Sequence, residues 1–203
     1  MSSGRLTDFR NVSRPFSWWV GPADRPANLG ELLRAASLDA AESELAMAAN
    51  LEALVEPAEH PPGLRIDRAR TPEQVGDYAA VNAANWDPPD PEVRRFYAAA
   101  MPVLLAADSP IWLSVGYLGE RPVAASELTV GGGVAGLYGI STRAAYRRRG
   151  FGTAMTLRPL VDARAAGYQT AVLQAAPDGI GVYARLGFTP TGRYTEYKPP
   201  VPG

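Results

Sequence analysis

Hydrophobic and polar positions alternate along some stretches of the chain and recur at helical spacing along others, and the change of period outlines the elements. Residues 64–70, "LRIDRAR", alternate as a strand does. "TPEQVGDYAAVNAANW" then reads as a helix, with Thr71 as its N-cap and Pro72 at the first helical position. "DPEVRRFYAAAMPVLLA" predicts a second helix. Three strands follow at 111–118, 122–130 and 134–142, joined at Gly119-Glu120 and at the triple glycine Gly131–Gly133. Such short glycine turns imply antiparallel pairing.

A helix over about 151–166 ends at Gly167, with Pro159 inside it, where a proline costs on the order of 3 kcal/mol and predicts a kink. "QTAVLQA" (169–175) reads as a buried strand, "DGIGVYARLGF" as a short helix stopped at Gly187, and "GRYTEYK" as a last strand. The order β–α–α–β–β–β–α–β–α–β fits an α+β fold, a mixed sheet with helices on both faces. Ahead of it, "PFSWWVG" reads as a strand, "NLGELLRAASL" as a helix, and "ESELAMAANL" as either. Prolines in "VEPAEHPPG" separate the two regions. The expected organisation is a small α/β appendage over 1–58, a linker at 59–63 and a main domain over 64–203.

Composition narrows the function classes. A formal net charge of −1 gives the molecule no overall attraction to nucleic acid or anionic membrane. Nor do aromatic residues interleave with the arginines of 147–149, as single-strand RNA binding would need. No apolar run approaches the roughly 20 residues of a membrane span, and no apolar leader core opens the chain, so the expectation is cytoplasmic. The absence of cysteine removes disulfides, thiolate metal sites and a cysteine acyl-enzyme. His60, the single histidine, lies in the proline-rich linker, which leaves no histidine triad or metal cluster. No metal is expected. Lys198 is the only lysine among 20 basic residues, so a phosphate site must use arginine or backbone amides.

The stretch "AYRRRGFGTAM" (145–155) supplies both. It runs from a strand into a helix, where first-turn amides lack intrahelical partners and the helix dipole is positive. Gly150 and Gly152 let a phosphate approach the backbone. A dinucleotide fingerprint fails, because Met155 stands where a third glycine is needed.

Arg147-Arg148-Arg149-Gly150-Phe151-Gly152 matches Arg/Gln-x-x-Gly-x-Gly/Ala, the pyrophosphate loop of the GCN5-related N-acetyltransferase (GNAT) superfamily. Some thirty residues later "VYARLGF" (182–188) resembles that family's Leu/Val-Tyr-x-x-x-Gly-Phe signature. The resemblance covers about 64–197, and the front segment is similar to the degenerate N-terminal lobe of some members. It implies the acyl-CoA N-acyltransferase fold with splayed central strands, and acetyl-CoA as co-substrate. The backbone of Ile140, Ser141 and Thr142 would pair with the pantetheine arm. Arg147, Arg148, Arg149, Gly150, Phe151, Gly152 and Thr153 would hold the pyrophosphate, through amides from 148 to 153 and arginine charge.

The implied reaction is direct attack of an amine on the thioester, with Tyr183 protonating the leaving thiolate. The family's glutamate on the strand before the loop is missing from "GLYGIST", and Glu127 on the neighbouring strand is the substitute base, a water chain the alternative. Tyr138, Trp86 and Trp112 are candidates for the acceptor pocket, with Asp87 beside Trp86. The family's asparagine near the last helix is replaced by Ala176. A small-molecule amine is the first choice of acceptor, a protein amine the second, and a homodimer is the family habit. Two alternatives keep the fold: a non-catalytic acyl-CoA-binding or regulatory module, and an acyltransferase with a different acyl donor.

Overall fold

The alternating stretches become neighbouring strands of one mixed sheet in the computed structural model, which describes residues 16–56 and 61–200. His60 and part of the 59–63 linker lie outside the described residues. In chain order the elements are β1 (Trp18–Val20), α1 (Leu29–Ala35), β2 (Asp39–Asn50), β3 (Leu64–Arg68), α2 (Pro72–Ala83), α3 (Pro91–Leu104) and β4 (Ile111–Leu118). Then come β5 (Arg121–Gly131), β6 (Val134–Thr142), α4 (Phe151–Ala165), β7 (Thr170–Ala175), α5 (Ile180–Arg185) and β8 (Thr189–Lys198). The sheet runs β1-β8-β2-β7-β6-β5-β4-β3.

Local chemistry accounts for the element ends. The Thr71 hydroxyl accepts from the Gln74 amide at 3.3 Å, and the Asp90 carboxylate accepts from the Glu92 amide at 2.8 Å. Each satisfies an amide that the first helical turn would leave open, and Pro72 and Pro91 follow with fixed φ. Between β5 and β6, Gly132 (φ 56°) and Gly133 (φ 80°) occupy the two left-handed positions that a two-residue hairpin of matching twist requires. α4 runs as one helix through Pro159, which is buried against the sheet.

Two layers of helix cover the sheet. On one face α2 and α3 bring Val75, Tyr78 and Tyr97 against Leu113, Val115 and Ala125. On the other, α4 packs Leu157 and Leu160 over Met47, Leu128, Leu137 and Leu173. Leu160 is fully buried, and a burial of that size stabilises by about 1.5–3 kcal/mol.

The front segment does not stand apart. The ambiguous "ESELAMAANL" is strand, part of β2, which pairs antiparallel with β7 from Leu45↔Ala175 to Asn50↔Thr170. Its other edge pairs antiparallel with β8, and β1 pairs with the far edge of β8. Residues on both sides of the linker thus share one sheet and one core. Replacing Met47, 1% exposed in that core, by alanine should lower the unfolding free energy by about 2–5 kcal/mol. Denaturant unfolding should show a single transition displaced as a whole, whereas a separate appendage would give a second transition moving alone.

Candidate active site

The site begins where two parallel strands part. β6 and β7 pair from Val134↔Thr170 to Leu137↔Leu173 and no further, although β6 continues to Thr142 and β7 to Ala175. On the opposite edge of β6, the register against β5 shifts between Ala125↔Ser141 and Glu127↔Tyr138, leaving Gly139 and Ile140 across from Ser126. Gly139 takes φ 56°, and a Cβ there would lie 2.7 Å from the Tyr78 hydroxyl. A bulge lies immediately past the last β6–β7 pair, and residues 138–142 have no paired strand on their β7 side.

β6 leads into the arginine loop. Gly150 is left-handed (φ 79°) and caps α4, whose first bond runs from the Ala154 amide to the Gly150 carbonyl at 3.1 Å. Among the described residues no backbone carbonyl accepts from the amides of Arg148 to Thr153. These six donors, at the positive end of a 15-residue helix, suit a diphosphate. Nothing lies within 4 Å of the position a Gly152 Cβ would take, so the approach to the backbone is open.

The three arginines have different surroundings. Arg147 Nε donates to the Thr142 carbonyl at 3.1 Å and ties the loop back to β6. The Arg149 guanidinium lies 5.0 Å above the Phe151 ring and 5.9 Å from that of Tyr146. Arg148 is left-handed at φ 63° and exposed. Sequence alone does not rank the three.

Tyr183 sits on the α4 side of the sheet. Its ring meets Phe188 edge-to-face at 6.1 Å and folds back over Gly179, where a Cβ would come within 2.7 Å of it. Burial, and secondarily the Glu44 carboxylate, raise the Tyr183 phenol above its ordinary value of 10.0. Glu44 on β2 is itself raised, chiefly by burial and then by Glu42 and Glu196. No motif pointed to Glu44, because only the insertion of β2 beside β7 brings it near.

On the other face, Glu127 and Tyr138 are direct cross-strand partners, and Tyr138 is 46% exposed. The Tyr97 hydroxyl donates to Glu127 Oε2 at 3.1 Å, and Thr129 Oγ1 lies 3.5 Å from Oε1. Asn85 Nδ2 donates to Ser141 Oγ at 2.7 Å, anchoring the end of α2 to β6 one residue before the half-exposed Trp86. Trp112 is not brought to this face. Its cross-strand partner is Leu128, Arg68 lies 4.1 Å over its ring, and Nε1 donates to the Ser109 carbonyl at 3.1 Å. Tyr97 and Asn85 had been legible only as helix residues.

Two clefts of about 400 and 700 Å³ open elsewhere, between β3 and the outer flank of α4, and neither is lined by the loop glycines, Glu127 or Tyr183. Strand geometry and donor placement, rather than cavity size, locate the site. Among the described residues no three His, Cys, Asp or Glu side chains are grouped to hold a metal.

Parted parallel strands ahead of a glycine–arginine loop and a helix N-terminus offer a cleft of free backbone groups that ends at an anion-binding corner. The chain belongs to the GNAT acetyltransferase family, whose domain model matches residues 47–182. Solved structures agree in fold. A GCN5-related N-acetyltransferase from Kribbella flavida superposes with a TM-score of 0.74 at 19% identity, over 97% of this chain and 73% of that one. Another, from Sphaerobacter thermophilus, gives 0.65 at 17% identity, over 95% of this chain and 63% of that one. A tandem GNAT protein from the clavulanic acid biosynthesis pathway gives 0.66 at 16% identity, over 93% and 65%. No curated protein matches the chain. No helix among the described residues is long and apolar enough to cross a membrane.

Gly150→Ala places a side chain at φ 79° and 3.3 Å from Pro61 Cγ. It should destabilise the fold by about 1–2 kcal/mol and weaken coenzyme A binding. Thermal unfolding and a calorimetric titration with coenzyme A check both effects, and unaltered coenzyme affinity would contradict the second.

Proposed function

We propose that the protein transfers an acetyl group from acetyl-CoA to a primary amine of a small molecule, by direct attack within a ternary complex. The observation that carries this is the end of β6–β7 pairing at Leu137 and Leu173, just ahead of six amides without backbone acceptors. Family membership supports acyl transfer from acyl-CoA, and the gap and loop fit the two halves of that co-substrate. The loop amides take the diphosphate. The freed backbone of Ile140, Ser141 and Thr142 takes the pantetheine amides as an added strand would.

Roles follow from the two faces. A neutral acceptor amine enters from the α2–α3 side, past Tyr138 and Trp86, and Glu127 takes the proton that its nitrogen loses as the C–N bond forms. Its nitrogen bonds to the thioester carbonyl carbon while a β6 amide steadies the developing oxyanion. The carbon–sulfur bond breaks, and Tyr183 on the other face gives its proton to the thiolate sulfur. The buried phenol suits an acid: with its pKa raised, it stays protonated across neutral pH and to higher pH than a free tyrosine.

Release of coenzyme A from acetyl-CoA, screened against amino acids, polyamines, aminoglycosides and lysine peptides, tests the activity; binding without release across the panel would favour a non-catalytic acyl-CoA module. Tyr183→Phe should lower kcat by about 10²- to 10⁴-fold while coenzyme A affinity stays nearly intact. In the wild type, the alkaline loss of kcat should have its midpoint above the ordinary tyrosine value of 10.0. A Tyr183→Phe enzyme at full rate would remove its acid role.

A further inference from the structure

A buried hydrogen-bonded chain runs from α2 through α3 to Glu127, and the transfer reaction itself makes no use of it. Tyr78 is fully buried and Tyr97 nearly so, and their rings pack edge-to-face at 4.8 Å. Asn82 Nδ2 donates to the Tyr78 hydroxyl at 3.4 Å, the two phenol oxygens lie 3.4 Å apart, and Tyr97 donates to Glu127 Oε2 at 3.1 Å. A carboxylate can only accept, so the single Tyr97 proton goes to Glu127. The contact between the phenols must then use the Tyr78 proton, with Tyr97 oxygen as acceptor. The chain therefore has one direction, Asn82 to Tyr78 to Tyr97 to Glu127. Burial pushes the Tyr97 phenol up to about 12, so its proton is in place at any working pH. Tyr78 is raised well above its ordinary value, again first by burial.

The same chain touches the point where the strands part. The Tyr78 hydroxyl fills the space that a side chain at Gly139 would need, directly under the bulge in β6. Glu127 and the bulged backbone are thus braced by one buried pair of phenols, from one face of the sheet. The other groups facing Glu127 are Thr129 on its own strand and Tyr138 on β6.

We propose that Tyr97, backed by Tyr78, is a positioning residue that fixes Oε2 of Glu127 and so sets the direction in which the carboxylate meets the acceptor amine. This rests on Glu127 acting as the base of the proposed transfer. Phenols suit the task better than a lysine or arginine would. They hold the carboxylate by a directional bond without an opposing charge that would compete with an incoming amine. A water in place of Tyr97 would leave Glu127 free to turn, and the rate of transfer would fall with no change in how the coenzyme binds.

Two measurements on the full chain test this. The first needs no acceptor: hydroxyl-proton NMR of the tyrosine-labelled protein should show a slowly exchanging resonance that vanishes in Tyr97→Phe and shifts in Glu127→Gln. A Tyr97 resonance indifferent to Glu127→Gln overturns the proposal. The second measures coenzyme A release with spermidine, an aminoglycoside and a lysine peptide as acceptor probes. Tyr97→Phe keeps the ring and its packing, and should lower kcat about tenfold to a hundredfold, with coenzyme A affinity unchanged. The same change made in Glu127→Gln should cost nothing further, and Tyr78→Phe should give a smaller loss of the same kind. Equal losses in both backgrounds, or a fully active Tyr97→Phe beside an inactive Glu127→Gln, overturn the positioning role alone. A fully active Glu127→Gln overturns Glu127 as base and the positioning role with it.

Discussion

The separation of β6 from β7 after Leu137 and Leu173 is the constraint on which the rest of the structure depends. A parallel pair in the middle of a sheet normally continues, because each unpaired backbone group left in the interior costs about as much as a lost hydrogen bond. Here the pairing stops while both strands run on. The cost is tolerable only if each strand is held from its other side and if something occupies the gap. β5 holds β6 through the bulge at Gly139, and β2 holds β7 along its whole length. What is left open is a strip of β6 backbone without a β7 partner, the strip that the proposed transfer assigns to its co-substrate.

The N-terminal segment supplies one of these two supports. β2 is the neighbour of β7 on the edge away from β6. It also carries Glu44 into the electrostatic surroundings of Tyr183. A residue more than a hundred positions away thus helps keep that phenol protonated, through nothing more than strand order. Segments 16–56 and 61–200 meet in the sheet, and the proline-rich stretch between them joins two parts of one core.

Local features of the sequence were the legible ones. Caps at Thr71, a glycine hairpin at 132–133, and a loop rich in glycine and arginine each act through neighbours a few residues away, so their residues alone identify them. The motif around Tyr183 works the same way, since Gly179 makes room for the ring four positions on. Pairings across the chain were not legible. "ESELAMAANL" carries alanines that favour a helix, and only its two flanking partners make it a strand. Trp112 shows the limit most plainly: Leu113, not Trp112, is the cross-strand partner of Glu127. In a pleated strand one residue decides the face, and an aromatic assigned to the right strand can still point away from the site.

The buried phenols illustrate a further limit, and a reason for it. Tyr78 and Tyr97 occupy positions where helical periodicity asks for large apolar residues, and their rings answer that demand inside the core. Phenylalanine would serve the packing equally well. Two hydroxyls in so dry a place must each find a partner or cost about 1–3 kcal/mol, so their presence calls for an acceptor. Glu127 is that acceptor, and in turn a carboxylate on a half-buried strand needs a hydrogen-bond donor. The helices and the strand are mutually required: neither the phenols nor the carboxylate is well placed without the other. That reciprocity distinguishes a side chain held in a hydrogen-bonded chain from one that merely faces solvent on an alternating strand.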